Sequence, residues 1–201
     1  VPYDVATVGN HEFDYGMDQF DKLIGRAEFP VVCCNLIDEE TDTAVLPAYQ
    51  MFTFTDRKVA FVGVTTPETM TSSNPLSFKD AAGNFKYGFC QDETGEALYA
   101  RVQKSVDAAK AEGADYVILL AHLGIGAGSS PWMSTEVIAN TTGIDAVIDG
   151  HSHSVVESEQ VKNRDGKTVI LTQTGTQFAN IGSLTISKAG NLKAVLNETC
   201  E

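Results

Sequence analysis

The chain has 201 residues, 43% of them apolar, with 14 basic and 27 acidic residues and a net charge of −13. That is one domain, or part of one, with a sizeable core, neither disordered nor low in complexity. The acidity argues against a surface that tracks a nucleic-acid polymer, and no apolar run approaches the ~18 residues of a membrane span. A small phosphorylated substrate stays open, because bound metal ions invert the local field. The chain opens on Val1 rather than Met and carries no signal peptide, so an upstream start is expected to have been removed.

In chain order, Val5 to Val8 reads as a strand. Gly9 follows as a tight strand-to-loop turn that a Cβ would resist. Met17 to Glu28 reads as a helix, with Met17, Phe20, Leu23, Ile24 and Ala27 on one face. Pro30 to Leu36 is a second strand, buried on both faces. Its Cys33 and Cys34 point to opposite sides as small core residues. Asp38 to Thr43 is an acidic loop, and Tyr49 to Thr55 with Lys58 to Thr65 form a hairpin. Thr66 to Glu93 is irregular, either a binding loop or lid or a surface excursion.

Glu93 to Glu112 reads as a helix ending at Gly113. Tyr116 to Ala121 is a buried strand, Gly124 to Pro131 a flexible loop and Ser134 to Thr142 a short helix. Strands follow at Ile144 to Ile148, Thr168 to Thr174, Ile181 to Ser187 and Leu192 to Leu196. Alternating strands and helices that end in strands alone favour two packed sheets flanked by helices. No C-x-x-C pair suggests a zinc knuckle, and a disulfide between Cys90 and Cys200 has no support in sequence alone.

The four histidines, His11, His122, His151 and His153, each sit at the end of an apolar run. Neutral imidazole is the commonest metal ligand among side chains. In an extended segment His151 and His153 would face one side. Asn10, His11, Glu12 and Asp14 put an amide, an imidazole and two carboxylates within five residues. Taken alone, that cluster is equally well a polar turn.

Gly9-Asn10-His11-Glu12, Ala121-His122-Leu123-Gly124 and Gly150-His151-Ser152-His153, in that order and after strands, resemble the calcineurin-like metallophosphoesterases. The flanks Phe13-Asp14-Tyr15-Gly16 and Asp149-Gly150 narrow the resemblance to the branch of 5′-nucleotidases, UDP-sugar hydrolases and 2′,3′-cyclic phosphodiesterases. It runs from about Tyr3 to about Leu196. It implies an α/β/β/α sandwich, nucleotide substrates, an extracytoplasmic location and two divalent metal ions. Mixed imidazole, amide and carboxylate ligands suit zinc, manganese or iron better than calcium.

By the resemblance, Asn10, His122 and His151 match ligands of one metal, and His153 matches a ligand of the other. His11 matches the histidine that stabilises charge on the phosphate or protonates the leaving oxygen, and Asp14 the carboxylate that orients it. Glu12 is expected to be structural. Asp149 is read as either a support for a histidine ligand or an ordinary polar strand end.

The resemblance also shows a departure. The family's D-x-H strand and G-D motif precede Gly-Asn-His-Glu, and neither is present ahead of Gly9 here. Residues 1–201 therefore read as the C-terminal two-thirds of a catalytic domain, incomplete at its N-terminal strands and without the domain that binds the nucleobase. Such a chain is expected to hold metal poorly, to be inactive alone, and to self-associate through an exposed sheet edge. Alternatives are a non-catalytic binding module of the same fold, or a hydrolase of a cyclic nucleotide or nucleotide sugar. A metallo-β-lactamase would need H-x-H-x-D-H, but Ser154-Val155-Val156 follow His153. An amidohydrolase would carry its H-x-H on the first barrel strand.

Overall fold

The structure, a computed structural model, describes residues 3–199. Its strands are β1 Ala6–Thr7, β2 Val31–Val32, β3 Ile37–Asp38, β4 Thr43–Ala44, β5 Tyr49–Phe54, β6 Arg57–Thr65, β7 Tyr87–Gly88, β8 Tyr116–His122, β9 Ala146–Asp149, β10 Val155–Lys162, β11 Thr168–Thr174, β12 Asn180–Ile186 and β13 Leu192–Glu198. Its helices are α1 Met17–Ile24, α2 Thr69–Ser72, α3 Glu96–Ala111 and α4 Ser134–Asn140. Six strands form the main sheet in the order β10-β11-β9-β8-β6-β5. β6, β8, β9 and β11 run parallel, so their C-terminal ends lie on one edge. Ligand sites of α/β sheets gather on that edge.

Alternation along the strands makes two faces. On one, Ala60, Val62, Val64, Val117, Leu119, Val147 and Leu171 meet Leu98, Val102 and Val106 of α3 and Val137 and Ile138 of α4. On the other, Val59, Ile118 and Ala146 meet Leu184, Ile186 and Leu192 of the β12–β13 hairpin. β1 and β2, a parallel pair, reach this second face farther along β6. A Cβ on Gly63 would sit 2.0 Å from the Val32 carbonyl oxygen and 2.9 Å from Thr7 Oγ1. Only a glycine lets that pair lie so close. Phe13, Phe20, Phe78 and Phe89 build a separate core beside the pair. This is the α/β/β/α layering, with its second sheet short.

The elements depart from expectation in physically readable ways. α1 stops at Ile24 with Gly25 as its cap rather than running to Glu28. The second strand keeps regular pairing only at Val31–Val32. Cys33 and Cys34 do separate, one into each core. The expected acidic loop is in part the β3–β4 pair. Residues 66–93 are neither lid nor excursion, because Met70, Phe78 and Phe89 are buried in the aromatic core. α3 begins three residues later than expected, where Asp92 Oδ2 accepts the Ala97 N–H at 2.8 Å. β10 went unread because Glu157, Glu159 and Lys162 break any apolar run. It is an edge strand recruited by antiparallel pairing with β11, and charge on an edge discourages further pairing. Cys200 lies outside the described residues. Gly63→Ala is expected to cost about 1–3 kcal/mol, because the clashing atom is backbone and cannot rotate away. Urea unfolding measures it, and an unchanged midpoint would show that β1 and β2 do not seat there.

Candidate metal centre

Three chain segments deliver three donors to the C-terminal edge. Asn10 follows β1 and is buried. His122 ends β8, and its Nε2 lies 3.0 Å from Asn10 Oδ1. His151 follows β9, its ring centroid 5.0 Å from that of His122. Gly9 serves this packing by a route other than the expected turn. A Cβ there would meet the Cε1 and Nε2 atoms of His122 at 2.8 Å, so Gly9 makes room for a ring. Burial, followed by the nearby His151, His11 and His153, pulls the His122 imidazole down to about 4. It is therefore neutral at physiological pH, so one of its two ring nitrogens keeps a lone pair that can bind a cation.

The extended reading of residues 151–153 is corrected. His151 has φ 76° and His153 has φ 54°, both left-handed. These residues lie between β9 and β10, where no ladder imposes alternation. His151 turns inward, whereas His153 is exposed. Each such backbone costs on the order of 1–3 kcal/mol and persists only where its surroundings hold it.

Asp149 supplies much of that hold. Its Oδ1 accepts the N–H groups of Leu123 at 3.0 Å and Gly124 at 3.2 Å, just after His122. Its Oδ2 accepts Gln173 Nε2 of β11 at 3.2 Å. Gln173 Oε1 in turn accepts Ser154 N at 2.7 Å and Ser152 Oγ at 3.1 Å, on either side of His153. Asp149 and Gln173 are both buried. Burial raises the Asp149 carboxyl above its ordinary range, while the Leu123, Gly150 and Gly124 N–H groups pull it back.

On the outer side, His11 Nδ1 is 2.8 Å from Asp14 Oδ2, and Asp14 Oδ1 accepts Ser73 Oγ at 3.1 Å. The His11 hydrogen bond holds the Asp14 carboxyl below its ordinary range. Glu12 turns back to accept the Gly9 N–H at 2.6 Å, a structural contact. Glu68 Oε2 lies 2.7 Å from His151 Nε2. Sequence reasoning passed over Glu68, Ser73 and Gln173. One signal existed for the first, a polar Thr-Thr-Pro-Glu-Thr turn directly after a parallel strand. Among the described residues no three His, Cys, Asp or Glu side chains are gathered to hold a metal by themselves. The inner cluster is two imidazoles and an amide.

Asp149→Asn is expected to destabilise the fold by about 1–3 kcal/mol. Its amide would face the Gln173 amide donor, and Gln173 cannot flip without losing Ser152 and Ser154. Thermal unfolding measures the loss, and an unchanged midpoint would show that the network carries no load.

The family described as bacterial capsule synthesis protein PGA_cap matches residues 3–172. The chain is 32% identical over 173 residues to the trifunctional nucleotide phosphoesterase protein YfkN of Bacillus subtilis, covering 79% of this chain and 11% of that protein. It is 26% identical over 179 residues to a 2′,3′-cyclic-nucleotide 2′-phosphodiesterase/3′-nucleotidase of Salmonella typhimurium, covering 83% and 26%. The crystal structure of calcineurin-like phosphoesterase YfkN from Bacillus subtilis matches with a TM-score of 0.76 at 25% identity, over 98% of this chain and 64% of that one. A 5′-nucleotidase precursor from Thermus thermophilus matches with a TM-score of 0.75 at 24% identity, over 98% and 39%, a likeness of fold alone. The chain thus spans only 11% and 26% of those two curated relatives. It belongs to the PGA_cap family, within the calcineurin-like phosphoesterases of the 5′-nucleotidase and cyclic-nucleotide phosphodiesterase branch.

Proposed function

We propose that this chain is part of a metal-dependent phosphoric ester hydrolase of the 5′-nucleotidase type, which removes phosphate from nucleotides outside the cytoplasm. Residues 1–201 contribute to its catalytic domain, and recognition of the nucleobase falls to a domain outside this stretch. The observation that carries the reading is the 3.0 Å approach of Asn10 Oδ1 to His122 Nε2. Two ligands each ~2.0–2.2 Å from one ion stand about that far apart. A neutral His122 and the nearby His151 ring complete a donor set that fits a divalent metal such as zinc, manganese or iron. His153 is the residue offered to a second ion. Metal ions there would lower the pKa of bound water and neutralise charge on the phosphoryl group.

The remaining roles belong to side chains of this chain. Asp14 is ionised and accepts the Nδ1–H of His11. That leaves His11 Nε2 to face solvent on an exposed ring. His11 is thus oriented to stabilise charge on the phosphate or to pass a proton to the leaving oxygen, the base-and-orienter arrangement of other hydrolases. Asn10 and the His122 imidazole are neutral donors, so the site gains the positive charge that an anionic substrate needs from its metals. Relatives named 2′,3′-cyclic-nucleotide 2′-phosphodiesterase/3′-nucleotidase and 5′-nucleotidase support trying cyclic nucleotides beside nucleotides as substrates.

The test is hydrolysis of AMP, a 2′,3′-cyclic nucleotide and an aryl phosphate by the full-length gene product, with Mn²⁺ or Zn²⁺. Turnover that needs metal is expected. His11→Ala is expected to lower kcat by roughly 10²–10⁴-fold with metal content unchanged. Metal lost from a folded His11→Ala variant would overturn the role of His11. Metal-independent turnover, or no metal bound to the wild type, would overturn the proposed function.

A further inference from the structure

Glu68 belongs to no motif read from the sequence, yet its carboxylate reaches the inner histidine. The Glu68 and His151 side chains keep only 23% and 17% of their surface exposed. Their contact is therefore screened less than a surface ion pair. The turn that carries Glu68 is fastened to the strand that carries His122. Thr66 N donates to the His122 carbonyl at 2.9 Å. Glu68 N donates to Thr66 Oγ1 at 3.2 Å, and Thr69 Oγ1 donates to the Thr66 carbonyl at 2.6 Å. Thr66 and Thr69 are fully buried, and Pro67 fixes its own φ. The carboxylate thus sits on a rigid support. His151 lies outside any strand with a left-handed backbone, so its ring orientation needs an anchor.

We infer that Glu68 is a positioning residue that sets which nitrogen of His151 binds metal. A carboxylate only accepts, so Nε2 must carry the imidazole proton. The lone pair then lies on Nδ1, the nitrogen left for the ion. A carboxylate behind a histidine ligand fixes its tautomer and raises its basicity. The same turn continues to Ser73, which donates to Asp14 behind His11. Residues 66–73 therefore brace both the inner and the outer histidine. The metal half of this inference rests on the proposed function, whereas the tautomer half does not.

The test labels histidine with ¹⁵N in the metal-stripped full-length protein at about pH 8, above the ordinary imidazole range. Nitrogen shifts report which ring atom of His151 is protonated. The wild type is expected to show the Nε2–H form alone, Glu68→Ala a mixture, and Glu68→Gln a partial return through its amide oxygen. Chelator competition with Zn²⁺ is expected to show roughly 10–100-fold weaker binding in Glu68→Ala, with part of it regained in Glu68→Gln. A wild-type His151 protonated on Nδ1 would overturn the inference without any variant having to fold. So would a Glu68→Ala protein that loses thermal stability while tautomer and Zn²⁺ affinity stay unchanged. If the tautomer responds as expected but no variant, wild type included, binds Zn²⁺, the proposed function fails and the orientation by Glu68 stands.

Discussion

The site depends on one buried carboxylate. Asp149 sits where β9 ends, and its two oxygens hold the backbone after His122 and the side chain of Gln173. Through Gln173 the hold extends to Ser152 and Ser154, around the strained histidines. Three neighbouring strand ends are thereby locked by side chains rather than by the ladder. A buried network of this kind is stabilising only when every member is satisfied. Removing one partner leaves several donors dry, whereas no single hydrogen bond in it is strong alone.

That lock explains how two left-handed histidines persist. Strain of a few kcal/mol is tolerable only where the surroundings over-determine the backbone. It also sets the division of labour among the histidines. His122 is buried and neutral, and His151 is aimed inward with Glu68 behind it. His153 and His11 remain exposed, His11 with Asp14 beside it. The inner pair can offer lone pairs, and the outer pair can reach a substrate in solvent.

The chain carries a net charge of −13, yet its candidate centre is built mainly from neutral donors. Coulomb repulsion of a phosphate is therefore a property of the surface, not of the inner cluster. A bound cation would invert the local field where it matters. The carboxylates close to the centre, Asp149, Asp14 and Glu68, face histidines or backbone donors, so their charge is spent on orientation.

The sequence by itself determined the alternation of buried strands and helices, because a strand buried on both faces reads as an apolar run and α3 as a helical stripe. It also marked His11, His122, His151 and His153, because they end apolar runs, and the resemblance carried by their motifs added Asn10 and Asp14. It did not reveal β10, whose stability comes from pairing with β11 rather than from its own apolar content. Nor did it reveal that residues 66–93 pack an aromatic core, since Met70, Phe78 and Phe89 are too widely spaced to form a local pattern. Tertiary structure alone gave His151 its partner Glu68, whereas the resemblance already implied that Asn10 and His122 share a site. Glu68 meets His151 across 83 positions and Asn10 meets His122 across 112. Contacts at such separation leave no periodic trace in a single chain. They exist because four parallel strands bring their ends to one edge, and because Gly63 and Gly9 leave space there for the neighbouring backbone and ring.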